Sequence, residues 1–322
     1  MARQRTSWPV WLRRASQTGF TLLFFWLFLE AVYKPVNQTG RGVKFFFQID
    51  PLILLSSWLG SWQVAAGLTL GLVTVAVTLL AGRWFCGWVC PFGAIHNFMT
   101  YWSERRARQR IDTGGYSRWQ KAKYYVLVAV LVSAALGVNL AGWIDPFSFL
   151  YRSTATAVYP AANDATKGVF TWLYNADPGV GKARVTVVSE PIYGVLRQRF
   201  IAATQPQYHG SILIGALFVA VVFLNFHRAR FWCRYVCPAG ALLGVIGKNP
   251  LLRLRRNAES CNDCGLCIRD CQGGANPSGQ DGWKPAECFY CWNCHSACPH
   301  NAITFSILPA KAKAANREEA LR

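Results

Sequence analysis

Negative charge is what this sequence has least of: its 322 residues hold 15 Asp and Glu against 34 Lys and Arg, a formal charge of +19. That balance would suit nucleic acid, yet the basic residues alternate with apolar runs in a way duplex binding does not require, so no nucleic-acid partner is expected. The basic N-terminus and its apolar run are not followed by a small-residue cleavage site, which argues for a retained anchor over a removed signal peptide. Histidine is also sparse. With only His96, His209, His227, His295 and His300, a bis-histidine haem would have to use His96 and His227, and solvated or capping roles suit them better.

Charges are missing, too, from four apolar runs, Thr18 to Tyr33, Gln63 to Ala81, Tyr124 to Trp143 and Ser211 to Phe226, in a chain that is 52% hydrophobic with 14 Trp. Each is roughly long enough for a hydrocarbon core of ~30 Å, although the first carries Glu30. Of the 34 basic residues, 25 lie before Gln17, in 82–123 or after His227, and 9 lie between. The positive-inside rule then puts both termini and the 82–123 connection in the cytoplasm of a multi-pass inner-membrane protein. On that reading Arg13-Arg14 is a topology determinant and membrane lipids are partners.

All 12 cysteines fall on the side that this topology makes cytoplasmic, where thiols stay reduced, so metal ligation is favoured over disulfides. Eight form "CNDCGLCIRDC" and "CFYCWNCHSACP", each with the x2, x2, x3 spacing of a bacterial two-cluster ferredoxin. In that arrangement the fourth cysteine of each run serves the other cluster. One 4Fe-4S cluster is expected on Cys261, Cys264, Cys267 and Cys298, and a second on Cys271, Cys288, Cys291 and Cys294. Gln272 stands where the pattern has proline, and Pro299 follows Cys298 as the pattern asks.

The other four cysteines lie in "RWFCGWVCPFGAI" and "RFWCRYVCPAGAL". Each motif is preceded by an Ile-Asp-Pro step, at Asp50-Pro51 and Asp145-Pro146, so the membrane part reads as a duplicated two-helix repeat with a pseudo-twofold axis. The second copy is longer, with 88 residues from Asp145 to Cys233 against 36 from Asp50 to Cys86. The excess, within Arg152 to Gln207, is expected to form either an outer-side docking or lid element or a decorative outer-side loop. It includes a turn at Asp177-Pro178-Gly179 and a strand at Ala183 to Val188. Duplication should bring Cys86, Cys90, Cys233 and Cys237 together as an additional site for a third Fe-S cluster, a copper or zinc ion, or a redox dithiol pair; a structural helix start is the remaining alternative. Arg83, Arg230 and Arg234 should lower the thiol pKa values.

The double Cys-x3-Cys-Pro repeat with its two-cluster tail resembles the NapH, NosR and CcoG group of membrane polyferredoxins. The expected fold is an all-α integral membrane core of four transmembrane helices with a small α+β two-cluster ferredoxin-like C-terminal domain. Its segments are 1–17, 18–151, 152–210, 211–256, 257–308 and 309–322. The resemblance implies a quinol-dehydrogenase-type electron-transfer subunit between the quinone pool, or a periplasmic redox partner, and clusters at the cytoplasmic face. The alternative is a copper-reducing or metal-centre assembly factor, and a redox sensor is a third reading. The chain is too short for the flavin-bearing outer domain of NosR-like proteins. Glu30, Asp50 and Asp145 are candidate proton acceptors for quinol, with helix capping favoured for the two aspartates. Phe45 to Phe47 would hold a quinone ring or belong to an interfacial aromatic belt.

Overall fold

Two Asp-Pro steps open equivalent helices in the two halves of the chain. The computed structural model describes residues 7–33, 41–64, 66–106, 114–176, 179–180, 183–184, 186–199, 201, 208–278 and 282–307. In the first half, α1 (Trp8–Tyr33) and α2 (Arg41–Gln48) lead to Asp50, which caps α3 (Pro51–Ser61) by accepting the Leu52 N–H at 2.7 Å. Then come α4 (Gly71–Ala81), α5 (Trp84–Trp88) and α6 (Pro91–Arg106).

The second half repeats the order. After α7 (Ala122–Ala135) and α8 (Ala141–Ile144), Asp145 caps α9 (Pro146–Ser153) through the Phe147 and Ser148 N–H groups at 3.0 and 3.1 Å. Proline at the first helical position has no N–H to leave unsatisfied and its φ suits the turn. The excursion follows as α10 (Tyr159–Ala176), the antiparallel pair β1 (Gly179–Val180) and β2 (Ala183–Arg184), and α11 (Thr186–Arg199). The half closes with α12 (Ser211–Phe223), α13 (Phe231–Tyr235) and α14 (Pro238–Ile246). The tail comprises β3 (Arg253–Arg256), α15 (Leu266–Arg269), α16 (Asn293–Ala297) and β4 (Ile303–Ser306), with β3 and β4 antiparallel and Arg253 opposite Ser306.

The halves are cross-packed. The last helix of the first, α6, lies against α9 and α12 of the second, while α14 of the second lies against α3 and α4 of the first. One apolar core results, running from Phe24, Phe46 and Phe92 through Phe147 and Trp232 to Phe289 of the tail. Phe46 and Phe47 pack on Phe147 with ring centroids 5.7 and 6.5 Å apart, so this part of the aromatic run is core.

The expected four transmembrane helices are not found. No helix of the described residues is long and apolar enough to cross a membrane. The physical reason is where the helices stop. The second, third and fourth apolar runs yield helices of 11, 14 and 13 residues, about 17–21 Å at ~1.5 Å per residue against a ~30 Å core. Gly82, Gly137 and Gly210, all at positive φ, bound them. The first helix reaches 26 residues but contains Arg13, Arg14 and Glu30. The membrane core, the multi-pass inner-membrane placement with cytoplasmic termini, and the lipid and quinone-pool partners therefore lose their basis, as does a membrane-embedded quinol-dehydrogenase subunit. What stands is a mostly helical fold with two-stranded sheets. Exposed apolar residues such as Leu72, Val73, Val128, Val132, Ile212 and Leu213 line the outer sides of α4, α7 and α12. The expected strand at Ala183 to Val188 is also corrected: it pairs for two residues, and the chain is helical from Thr186. Asp177 and Pro178 of the expected turn, and the 309–322 tail, lie outside the described residues.

Cross-packing brings the two caps together. Asp50 and Asp145 are fully buried and interact electrostatically, while the carboxyl oxygens not used in capping, Asp50 Oδ2 and Asp145 Oδ1, have no hydrogen-bond partner among the described residues. Burial raises the Asp50 carboxyl above its ordinary 3.8 and raises Asp145 well above it. The folded state thus holds protons the unfolded state has released, and stability from this pair falls as pH climbs past 3.8. Asp145→Asn keeps a capping acceptor and removes one charge. It is expected to be more stable than wild type at pH 7, with the advantage shrinking toward pH 4; denaturant unfolding at a series of pH values checks this, and parallel pH profiles would refute it.

Candidate functional site

The two cysteine runs of the tail fold into matching loops. Asp263 and Tyr290, each just before the second cysteine of its run, have φ of 54° and 50°, and Gly265 and Trp292, each just after it, have φ of 72° and 56°. Left-handed backbone costs roughly 1–2 kcal/mol for a residue with a Cβ. Its use at a tyrosine and a tryptophan in one loop indicates a constraint imposed on the turn, and its effect is to wrap three cysteines around one space. Short helices α15 and α16 then carry the chain to Cys271 and Cys298, whose Sγ atoms accept the N–H groups of Ala275 and Ala302, both at 3.3 Å.

Cys261, Cys264, Cys267 and Cys298 line one cavity with about 520 Å³ of atom-free space, and Cys264 is exposed there. Cys271, Cys288, Cys291 and Cys294 line another of about 320 Å³, under Trp283, Phe289 and Trp292. Gln272, in place of the pattern's proline, donates its amide to Asn97 Oδ1 on α6. Asn97 donates in turn to Gln17 Oε1 at 3.0 Å, and Gln17 to the Gly87 carbonyl at 2.6 Å.

A third cavity of about 390 Å³ is lined by Cys86, Cys90, Cys233 and Cys237 together with Asp50, Pro51, Pro146 and Arg83. The repeated motif explains itself here. Cys90 and Cys237 stand just before α6 and α14, where their Sγ atoms accept the N–H of Gly93 at 3.4 Å and of Gly240 at 3.3 Å. The arginine three residues before each first cysteine reaches into the other repeat: Arg83 Nη2 donates to the Cys233 carbonyl at 3.3 Å, and Arg230 Nη1 to the Cys86 carbonyl at 3.0 Å. Both guanidiniums sit over the ring of Phe289, 4.9 and 4.8 Å from its centroid. The glycines make room for the braces. A Cβ on Gly240 would lie 2.6 Å from Arg83 Nη2, and one on Gly93 2.7 Å from the Cys86 carbonyl.

Arg83 also fastens the tail, donating to the Ala286 carbonyl at 2.9 Å and to Glu287 Oε2 at 3.4 Å. Glu287 is buried and takes Lys123, Gln120 and Tyr124 as further partners. Burial pulls the Lys123 ammonium down to about 7.

The arginines do not acidify the thiols as expected. Burial raises Cys233 to about 11 and Cys90 and Cys237 well above the ordinary 9.0, outweighing the opposing pull of Arg230 and Arg83 on Cys233. Metal binding at such thiols must expel protons. His96 is fully buried, held through Nδ1 to Asn225 Oδ1 at 2.9 Å and lowered to about 4 by burial, whereas His227 is exposed, so the two do not form a facing pair. Glu30, on α1, lines none of the three cavities. Arg13, read as a topology determinant, is 1% exposed and donates to Asn293 Oδ1 at 3.1 Å, between Cys291 and Cys294. Sequence reasoning missed Gln17, Lys123, Glu287 and Phe289; the only signal of such coupling was the arginine at the same offset in both motifs.

Two family models match the chain, and each describes a 4Fe-4S binding domain. One covers residues 63–109 and again 208–258, taking in Cys86, Cys90, Cys233 and Cys237; the other covers 282–304. Among similar proteins, an uncharacterized protein of Methanocaldococcus jannaschii, MJ0750, is 25% identical over 296 residues, 92% of this chain and 94% of its own length. The ferredoxin-type protein NapH of Escherichia coli is 27% identical over 228 residues, 69% of this chain and 59% of NapH. The methylamine utilization ferredoxin-type protein MauN of Paracoccus denitrificans is 25% identical over 231 residues, 69% of this chain and 60% of MauN. No solved structure matches. The chain thus carries iron-sulphur binding domains of a ferredoxin-like kind, and these with its redox-related relatives support a role in electron transfer. The membrane part of the resemblance to the NapH, NosR and CcoG group is overturned by the helix lengths.

Gly240→Ala forces Arg83 off its brace and is expected to cost about 1–3 kcal/mol, an overpacking penalty. Gly168→Ala, in exposed helix α10 with nothing within 4 Å of the new Cβ, should instead stabilise by roughly 0.5–1 kcal/mol. Denaturant midpoints of the two variants check the contrast.

Proposed function

We propose that the protein is a one-electron relay that holds three 4Fe-4S clusters, on Cys261, Cys264, Cys267 and Cys298, on Cys271, Cys288, Cys291 and Cys294, and on Cys86, Cys90, Cys233 and Cys237. One observation carries the reading: the 12 cysteines divide without remainder into three sets of four, each around its own cavity. When bound, such clusters supply reversible one-electron transfer and, with four thiolate ligands, no open iron for substrate.

The donor chemistry fits. Among the described residues no group of three or more His, Cys, Asp and Glu side chains is gathered closely enough to hold a single metal ion. A cubane gives each thiolate its own iron and needs thiols spread around a space. In each of the three sets at least one Sγ already accepts a backbone N–H, at Cys298, at Cys271, and at both Cys90 and Cys237. Hydrogen bonds to sulphur favour the thiolate over the thiol.

The rest of the chain orders the sets. Exposed Cys264 leaves the first set open to water, where electrons can be exchanged with the outside. The second lies under Trp283, Phe289 and Trp292, with Cys288, Cys291 and Cys294 buried. Phe289 belongs to the wall of the second cavity and lies beneath the arginines that brace the third. The geometry supports transfer and assigns no substrate-converting activity.

Iron and acid-labile sulphide analysis of anaerobically purified protein tests this. About twelve irons per chain are expected, four per cluster. Cys86→Ser and Cys233→Ser should each remove about four irons and one EPR-active centre while the others persist. A wild-type content of about eight irons would sink the three-cluster reading.

A further inference from the structure

Arg230 is a buried cation that rests on the Phe289 ring and that no carboxylate pairs among the described residues. Its side chain is 0% exposed, and Nε and Nη2 have no hydrogen-bond partner. The one hydrogen bond of its guanidinium runs from Nη1 to the Cys86 carbonyl, and among the described residues it has no carboxylate partner. Arginine does not escape by losing its proton. A buried, unpaired ion costs several kcal/mol after relaxation. The backbone adds to the cost, since Arg230 itself sits at φ 49°, a conformation that turns its side chain inward at the start of α13.

Arg83 is its counterpart in the first repeat, also 0% exposed, with Nε unpartnered and with its guanidinium lining the four-cysteine cavity. Each arginine spans the junction between repeats, so both charges converge on the place where Cys86, Cys90, Cys233 and Cys237 meet. Four thiolates around a cubane carry net negative charge, and reduction adds one electron to it. Positive charge close by in a low-dielectric interior stabilises the reduced form more than the oxidised one.

We propose that Arg83 and Arg230 set the reduction potential of the cluster held by Cys86, Cys90, Cys233 and Cys237, holding it above the value its burial alone would give. This rests on the three-cluster reading. The reduction takes one electron from an added reductant such as dithionite, adds no proton and breaks no iron-thiolate bond. The two arginines touch the ligands' carbonyls and are positioning residues that act through charge.

The test is an EPR-monitored redox titration of the holoprotein with iron counted in each sample. Arg230→Gln and Arg83→Gln should each lower the midpoint of one cluster, the one lost in Cys86→Ser, by roughly tenfold in the reduction equilibrium or about 59 mV. Arg230→Lys and Arg83→Lys keep the charge and should stay near wild type, which a purely structural role would not predict. If a Gln variant fails to keep its iron, the Lys variants decide: a Lys midpoint that drops tenfold overturns the proposal. Wild-type midpoints in a Gln variant with about twelve irons overturn it and leave the three-cluster reading standing. About eight irons in wild type overturn both.

Discussion

Buried positive charge is the constraint on which the rest of this structure depends. Arg13, Arg83, Lys123, Arg230 and Arg234 all have side chains at 0–1% exposure. Among the described residues the buried carboxyls are Asp50, Asp145 and Glu287, and each of the first two spends one oxygen on a helix cap. Glu287 serves Arg83 and Lys123 together. Desolvating this many cations costs more than hydrophobic burial around them returns unless anions lie among them. The cysteines are the groups placed to supply that charge: Arg13 lies by Asn293 between Cys291 and Cys294, Arg83 and Arg230 bond the carbonyls of Cys233 and Cys86, and Arg234 packs against the left-handed turn at Gly274, three residues past Cys271. On the three-cluster reading, iron-sulphur ligation and the folding of this core are one problem.

Cross-packing solves it geometrically. A repeat whose last helix packed on its own half alone would leave two cysteines and one arginine on each of two separate surfaces. Because α6, packed on α1 of its own half, also lies on the second half, and α14, packed on α7, also lies on the first, the two Cys-Pro helix starts meet, each arginine finds the opposite repeat's carbonyl, and each motif glycine clears the way. The same junction buries Asp50 beside Asp145. The Asp-Pro cap and the Cys-Pro site are thus two layers of a single symmetric junction.

Much of this junction was legible in the sequence. The register of the two Cys-Pro motifs and of the Asp-Pro steps is local information, and so is the spacing of the tail cysteines, because three thiols two residues apart leave the backbone few ways to turn. Helix length was not legible. Gln63 to Ala81 and Tyr124 to Trp143 are as apolar as spans, but hydropathy sums across the points where the chain leaves the helix, at the short 3-10 turn Ala66–Leu70 and at Gly137. Burial of charge was not legible either. Arg13 and Arg83 counted toward a surface charge bias, and nothing along the chain marks an arginine as interior until its partners, 280 and 150 residues away, are known.

Gln272 shows why the tail is more than an appended ferredoxin. Proline there would fix the turn after Cys271 through its ring and offer no donor. Glutamine gives up that rigidity and reaches Asn97, which holds Gln17, which holds the carbonyl of Gly87 between Cys86 and Cys90. Trp88 Nε1 donates to the Tyr290 carbonyl at 3.0 Å, and Arg83 holds Ala286 and Glu287 just ahead of Cys288. The turn that ends one cysteine set is thereby tied to the helix that begins another. A rigid, water-poor connection of this kind fixes the separation between sets and limits reorganisation of polar groups around them. The same ties mean that strain introduced at one set is felt at the next, so the second and third sets form one cooperative unit, while the first, held on exposed loops, is free to respond to water.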